Sequence, residues 1–290
     1  MRNASTPDIP ARSPAWLACL LCLALPLTAL NSHGAGIESL FVSTPDQHPD
    51  FATIGTLARP VDHGTWQRFL SRWVDARHAS GVHRVRYAQV DARGRADVDA
   101  YITQLSRIDP RPLVRYEQMA YWINLYNAVT VKAILGKPDV ASIRDIRSGI
   151  FSIGPWKMKL VTVAGVALSL DDIEHRILRP LYKDRRVHFA VNCASIGCPN
   201  LAPEAYRGDR LPDQLDAAER AFLAHPRGAR FDGDTLMLSS IFDWFADDFA
   251  PDRAGLLRYL SPRVPGAAGQ RIQQHRGSIR YEYDWALNRP

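Results

Sequence analysis

Residues 113–135 read LVRYEQMAYWINLYNAVTVKAIL and are closed by Gly136 with Pro138 just beyond. A glycine after the last periodic residue and a proline behind it form a normal helix stop. At about 100° per residue, Met119, Trp122, Ile123, Tyr126, Val129, Thr130, Ala133 and Ile134 share one broad apolar face. The opposite side holds Glu117, Tyr121, Asn124, Leu125, Ala128 and Val131, so the spacing predicts a helix buried nearly all round. A buried amide or carboxylate without a partner costs about 1 to 3 kcal/mol. Glu117, Asn124 and Asn127 must therefore bond to something. Either they tie the helix to neighbouring backbone, or, with Tyr121, they form the polar wall of a substrate-binding site.

On the N-terminal side, Val98, Tyr101, Ile102 and Leu105 mark one amphipathic helix, and Trp66, Phe69, Leu70, Trp73 and Val74 another. On the C-terminal side, Lys157 to Val163 and Val166 to Leu168 read as a tight hairpin around Ala164-Gly165. Ser169 then caps a helix whose core face is Leu170, Ile173, Ile177 and Leu178, ended by Pro180; Glu174 and His175 are expected on its surface. Val187, Phe189 and Val191 alternate with His188 and Asn192, which predicts a strand. A helix from Pro212 to Leu223 follows, then a hairpin turning at Asp232-Gly233-Asp234. Ile241, Trp244, Phe245 and Phe249 mark a further helix, and Ser278 to Trp285 a closing strand.

This order favours α+β: one domain of several helices with short, hairpin-linked antiparallel strands over 61–290, preceded by an irregular lead-in at 36–60. There is no internal repeat and no Gly-rich phosphate loop. The first 35 residues read differently. Arg2 and Arg12 precede an apolar run from Trp16 to Leu30, broken by Pro26 and followed by small and polar residues. That is the order of a secretory signal peptide, cleaved after Gly34 or Ala35, and it implies a periplasmic or secreted protein. The run is short for a transmembrane span, which needs about 20 apolar residues, so none is expected in the mature chain. Cys19 and Cys22 have redox-motif spacing but lie inside this leader.

The 290 residues are 46% hydrophobic and 23% charged, which places the chain in the globular class and excludes a disordered one. The formal charge is +6, but bases and acids intermingle and no run of five like charges occurs, which argues against a nucleic-acid partner. A mildly cationic surface leaves room for loose association with an anionic envelope surface.

Cys193 and Cys198 are the cysteines left after the leader, with His188, Asn192 and Ser195 beside them. Three readings compete. The two thiols form a disulfide, as an even pair does in an oxidising compartment. Alternatively Cys193 is a nucleophile, His188 its base and Asn192 or Asn124 the group that orients the imidazole or an oxyanion, which requires the chain to turn at Cys193. In the third, the thiolates and His188 bind zinc, although the C-x4-C spacing is loose for that; no metal and no cofactor is expected. The nucleophile reading predicts a hydrolase or acyltransferase acting on a peptide, amide or thioester-like bond, with a small molecule or peptide as partner. The disulfide reading predicts a non-catalytic envelope binding domain.

Four strings in order resemble the bacterial family known as domain of unknown function 547: Tyr121 to Ala128, Leu168 to His175, Val187 to Cys193 with Cys198-Pro199, and Ser239 to Trp244. The resemblance spans about residues 97 to 250, with Tyr283-Asp284-Trp285 also fitting. It implies no settled activity. A helix rich in Tyr, Trp and Asn followed by a His-bearing strand is loosely similar to papain-like and transglutaminase-like folds, where the nucleophilic Cys starts the helix; here no Cys lies between Cys22 and Cys193.

Overall fold

A computed structural model describes residues 46–147, 149 and 153–290. The expected leader with Cys19 and Cys22, and the first part of the lead-in, lie outside the described residues. The elements in chain order are helix α1 (Gly64–Trp73), strands β1 (Val74–Asp75) and β2 (Arg84–Val85), then helices α2 (Ala92–Ser106) and α3 (Arg115–Leu135). Strands β3 (Val161–Val163) and β4 (Val166–Leu168) precede α4 (Arg179–Tyr182), α5 (Leu211–Ala224), β5 (Ala229–Asp232) and β6 (Thr235–Ser239). Four short helices follow, α6 (Ile241–Trp244), α7 (Ala246–Phe249), α8 (Arg253–Leu260) and α9 (Gly266–Gln273), and β7 (Ile279–Glu282) comes last. The architecture is α+β in one domain, as the sequence pattern predicts.

Helix α3 is buried from Glu117 through Val131. Its apolar side chains join those of α1, α2, the β3–β4 hairpin and residues 168–178 in one large core. A second core gathers Phe222 and Leu223 of α5, the inner faces of β5 and β6, and helices α6 to α9. The chain reaches this packing earlier than Val61. Phe51 is 2% exposed with its ring edge-on to Trp122, 5.0 Å away, and Leu57 bridges to Leu113.

The β3–β4 and β5–β6 hairpins are antiparallel, but β7 pairs in parallel with β6, Leu236 to Ile279 through Ser239 to Glu282. An all-antiparallel set of strands is thus corrected in one place. The reason is connectivity: α6 to α9 carry the chain back to the start of β6 before β7 begins, as a parallel neighbour requires. The β3–β4 turn is the expected Ala164-Gly165, both at positive φ (47° and 84°), the geometry that suits the twist of a two-residue hairpin.

Two local differences shape the site. Residues Arg185–Phe189 form a 3-10 turn capped by Asp184, whose Oδ1 accepts from Arg186 N–H at 3.0 Å, and not the expected strand. All of residues 187–192 are buried, Val187 and Ala190 in the first core and Phe189 in the second, so the alternation of apolar residues carried no information on period. The helix after Ser169 has the expected cap, with Ser169 and Asp172 hydrogen-bonded in both directions at 2.7 to 3.1 Å. Beyond it, Asp172–Leu178 winds as a π-helix. Pro180 has no N–H to give the carbonyl of Arg176. That carbonyl accepts instead from His48 N–H at 2.8 Å, and Arg179 N–H reaches back five residues to Glu174 O.

Candidate active site

The seam between the two cores opens into a cleft of about 630 Å3. One bank is Tyr126, Trp156 and Val191; the other is Ile241, Trp244 and Phe245, with Tyr283 and Trp285 closing the rim. These rings touch in series: Trp244 lies 4.8 Å from Tyr283 and 5.6 Å from Trp285, and Trp285 lies 5.8 Å from Trp156. Inside this apolar rim sit Asp171, Glu174, His175, His188, Cys193 and Cys198.

The chain does turn at Cys193. Ala194 takes a left-handed φ of 61°. Asn192 holds the turn, its Oδ1 accepting from Ala194 N–H at 2.9 Å and its Nδ2 donating to Pro199 O at 2.6 Å. Cys193 Sγ thereby enters the same cleft as His188. Around the sulfur stand Tyr283 OH at 2.9 Å, Ser195 Oγ at 3.0 Å and Cys198 Sγ at 3.1 Å. Burial pushes the Cys193 thiol up, but hydrogen bonds from Cys198, Ser195 and Tyr283 outweigh it and hold the thiol at about 7. Burial and the neighbouring Cys193 push Cys198 well above its ordinary value. Both cysteines are free thiols in this structure, so no disulfide joins them.

His188 is fixed by other partners than the sulfur. Its ring stacks on Phe245 with centroids 4.1 Å apart, and Nε2 donates to Asp248 Oδ2 at 2.7 Å. The same carboxylate oxygen accepts from Arg179 Nε at 2.6 Å. Burial raises Asp248, yet His188 and Arg179 together hold it far below the usual carboxylate range. Burial lowers His188, so the ring is neutral, with Nδ1 buried, without a hydrogen-bond partner, and 3.9 Å from Glu174 Oε1. No hydrogen bond joins His188 to Cys193.

Glu174 and His175 are not the surface pair that the sequence suggests; each is 7% exposed and lines the cleft. Burial lifts Glu174 to about 7, against the hydrogen bond from Tyr126 and the charge of Arg179, and the Cys193 thiolate pushes it the same way as burial. His175 accepts from Arg179 Nη1 at Nδ1 (3.3 Å), and burial beside that cation lowers it to about 3. Its Nε2 therefore carries the proton, 3.9 Å from Asp171 Oδ1. Asp171 is itself raised to about 6 by burial, and its Oδ1 has no hydrogen-bond partner.

The four residues expected to bind substrate spend their polar atoms on the chain. Glu117 accepts from Val61 N–H at 2.6 Å, and Tyr121 OH donates to Leu105 O at 2.8 Å. Asn124 exchanges both bonds with the backbone of Tyr206, at 2.7 and 3.0 Å. Asn127 donates to Ala190 O at 3.0 Å and accepts from Asn192 N–H at 2.8 Å, so it positions the segment that carries Cys193. None of the four lines the cleft. Asn192 likewise touches no imidazole. Among the described residues no group of three His, Cys, Asp or Glu side chains has the geometry to hold a metal ion.

Residues 110–223 match the model of a family described as protein of unknown function, DUF547. No curated protein and no solved structure matches the chain, so the loose likeness to papain-like and transglutaminase-like folds stays without a counterpart.

Proposed function

For a chain that resembles the DUF547 proteins over residues 110–223, we propose a cysteine-dependent hydrolase or acyltransferase acting on a peptide, amide or thioester-like bond. One observation carries the reading: the sulfur of the partly buried Cys193, surrounded by three hydrogen-bonding groups, shares a cleft with a buried carboxyl group that also titrates near neutrality. Cys193 thiolate attacks the carbonyl carbon. Protonated Glu174 gives its proton to the departing amine or thiol, leaving an acyl-thioester. Water or another acceptor then attacks that thioester, Glu174 takes its proton, and the thiolate departs. The proton carrier is thus Glu174 in place of His188, which Asp248 and Phe245 lock beside it. The unpartnered His188 Nδ1 and Asp171 Oδ1 supply two fixed polar positions for the substrate. The signal-like residues 1–35 support the same activity in an exported, periplasmic or secreted protein.

A thiol-directed electrophile such as iodoacetamide tests this. Labelling of the wild type should rise through a midpoint at about pH 7, and Cys193→Ala should lose it while keeping the wild-type circular dichroism. A midpoint in the ordinary thiol range, or labelling retained by Cys193→Ala, would remove the nucleophile.

The 3.1 Å between the two sulfurs favours a second reading, an envelope binding domain in which Cys193 and Cys198 are bridged after export. Mass measured before and after reduction and alkylation separates the two. A bridge blocks both thiols until reductant is added.

A further inference from the structure

The charge of this chain is concentrated. Between Arg253 and Tyr281 lie six arginines and no Asp or Glu, whereas the whole sequence has 36 basic and 30 acidic residues. That segment alone therefore accounts for the formal excess of +6. The fold then sorts the six. Arg263 pairs with Glu219 at 3.3 Å and Arg271 with Asp234 at 2.8 Å. Arg253, Arg258, Arg276 and Arg280 have no carboxylate within ion-pair distance among the described residues; Arg280 lies on β7, and the other three, together with Gln273 and His275, line one groove between α8 and the end of α9. The groove is open to solvent, about 780 Å3, and distinct from the cleft that holds Cys193.

Two of the three guanidiniums are held in place by backbone. Arg253 Nη2 donates to Gly277 O at 2.5 Å, and Arg276 Nη1 donates to His275 O at 3.3 Å, which leaves their other N–H groups unspent. Three like charges around one groove repel one another and focus a positive field into it. Arginine forks match oxyanions with several oxygens better than lysine does. No Phe, Tyr or Trp lines the groove, so it lacks a platform on which a nucleobase would stack.

We propose that this groove binds a phosphate group, presented by a soluble phosphate compound or by a lipid headgroup. A phosphate dianion offers enough charge and oxygens for all three guanidiniums at once, which a single carboxylate does not.

The test uses the full chain with two probes: pyrophosphate in calorimetry, and phosphatidylglycerol vesicles against phosphatidylcholine vesicles in sedimentation. The wild type is expected to bind at least one, with affinity falling steeply as salt is added. The triple variant Arg253→Gln, Arg258→Gln, Arg276→Gln is expected to lose about tenfold or more, the loss of charge-assisted hydrogen bonds. Arg59→Gln, Arg93→Gln, Arg107→Gln removes the same charge from exposed positions elsewhere and should keep binding. Response to pyrophosphate assigns a soluble ligand, and response to anionic vesicles alone assigns a headgroup. No binding to either probe by the wild type, or an equal loss in both triple variants, overturns the proposal. Unchanged iodoacetamide labelling of Cys193 reports that both variants are folded.

Discussion

At Cys193 and Glu174 two acidic protons compete for one buried space. Both groups sit at about 7, and each disfavours ionisation of the other. The state that the proposed chemistry needs, thiolate with protonated carboxyl, is therefore most populated near neutrality. Replacing Glu174 with Gln removes the competing charge. We expect the labelling midpoint of Cys193 to move below about 7 in Glu174→Gln, followed by iodoacetamide rates across pH. We also expect turnover of an activated thioester to fall, because no group is left to carry the proton. An unmoved midpoint would mean that the two groups do not sense each other. Cys193 and His188 were recognisable in the sequence as chemistry-bearing residues. Tyr283 and Asp248 were not, because each reaches the site from far along the chain, 90 residues from Cys193 in one case and 60 from His188 in the other.

The π-helix at Asp172–Leu178 explains why His175 escaped the sequence reading, whereas Glu174 was already legible on the inward stripe. On a wheel of 3.6 residues per turn, Leu170, Ile173, Ile177 and Leu178 form the inward stripe; Glu174, about 40° from Leu170, already falls within it, and His175, at about 140°, faces out. All four apolar residues are indeed 0% exposed. Widening the turn brings His175 inward as well, and π-wound segments are frequent at functional sites. The widening depends on Pro180 and on His48 N–H, which takes up the stranded carbonyl of Arg176. Pro180→Ala restores the missing donor and permits regular winding. The expected outcome is a folded protein whose Cys193 midpoint stays at about 7, because Glu174 faces inward in either winding, with thermal stability equal to the wild type or slightly higher. A midpoint moved in Pro180→Ala would show that the widened winding is what places Glu174 beside Cys193. Helix α3 shows the opposite case. Its burial was readable because the apolar pattern continues all round, yet the pattern could not say which backbone Asn124 and Asn127 would meet.

Over the whole molecule, burial leaves five histidines lowered: His48, His63, His83, His175 and His188, with His63 at about 4 and His175 at about 3. Each contributes stability that is present above the unfolded value of about 6.5 and is lost as pH falls toward the folded one. Asp171 and Glu174, raised to about 6 and 7, work the other way, favouring the fold below their ordinary range and losing that as pH rises through 6 to 7. The histidines outnumber them. Thermal stability is therefore expected to fall as pH drops from about 6.5 to 4.5, each differentially bound proton contributing about 1.4 kcal/mol per pH unit. A melting temperature flat over that window would contradict the burial of these rings. The mixed fold and its hairpins were readable from local patterns, whereas the parallel β6–β7 pair was not, because it joins segments with four helices between them. The stretch after β7 also stitches the cysteine loop: Gly197 N–H donates to Asp284 O, Ile196 N–H to Ala286 O, and Asn288 N–H to Ala194 O. During synthesis the sulfur thus emerges from the ribosome long before its clasp does, and a nascent chain arrested short of Tyr283 would carry the thiol without the phenol beside it or the Trp285 indole at the rim of the cleft. On the proposed reading the thiol's reactivity arrives with the stretch after β7, and a chain made short of that stretch stays chemically quiet.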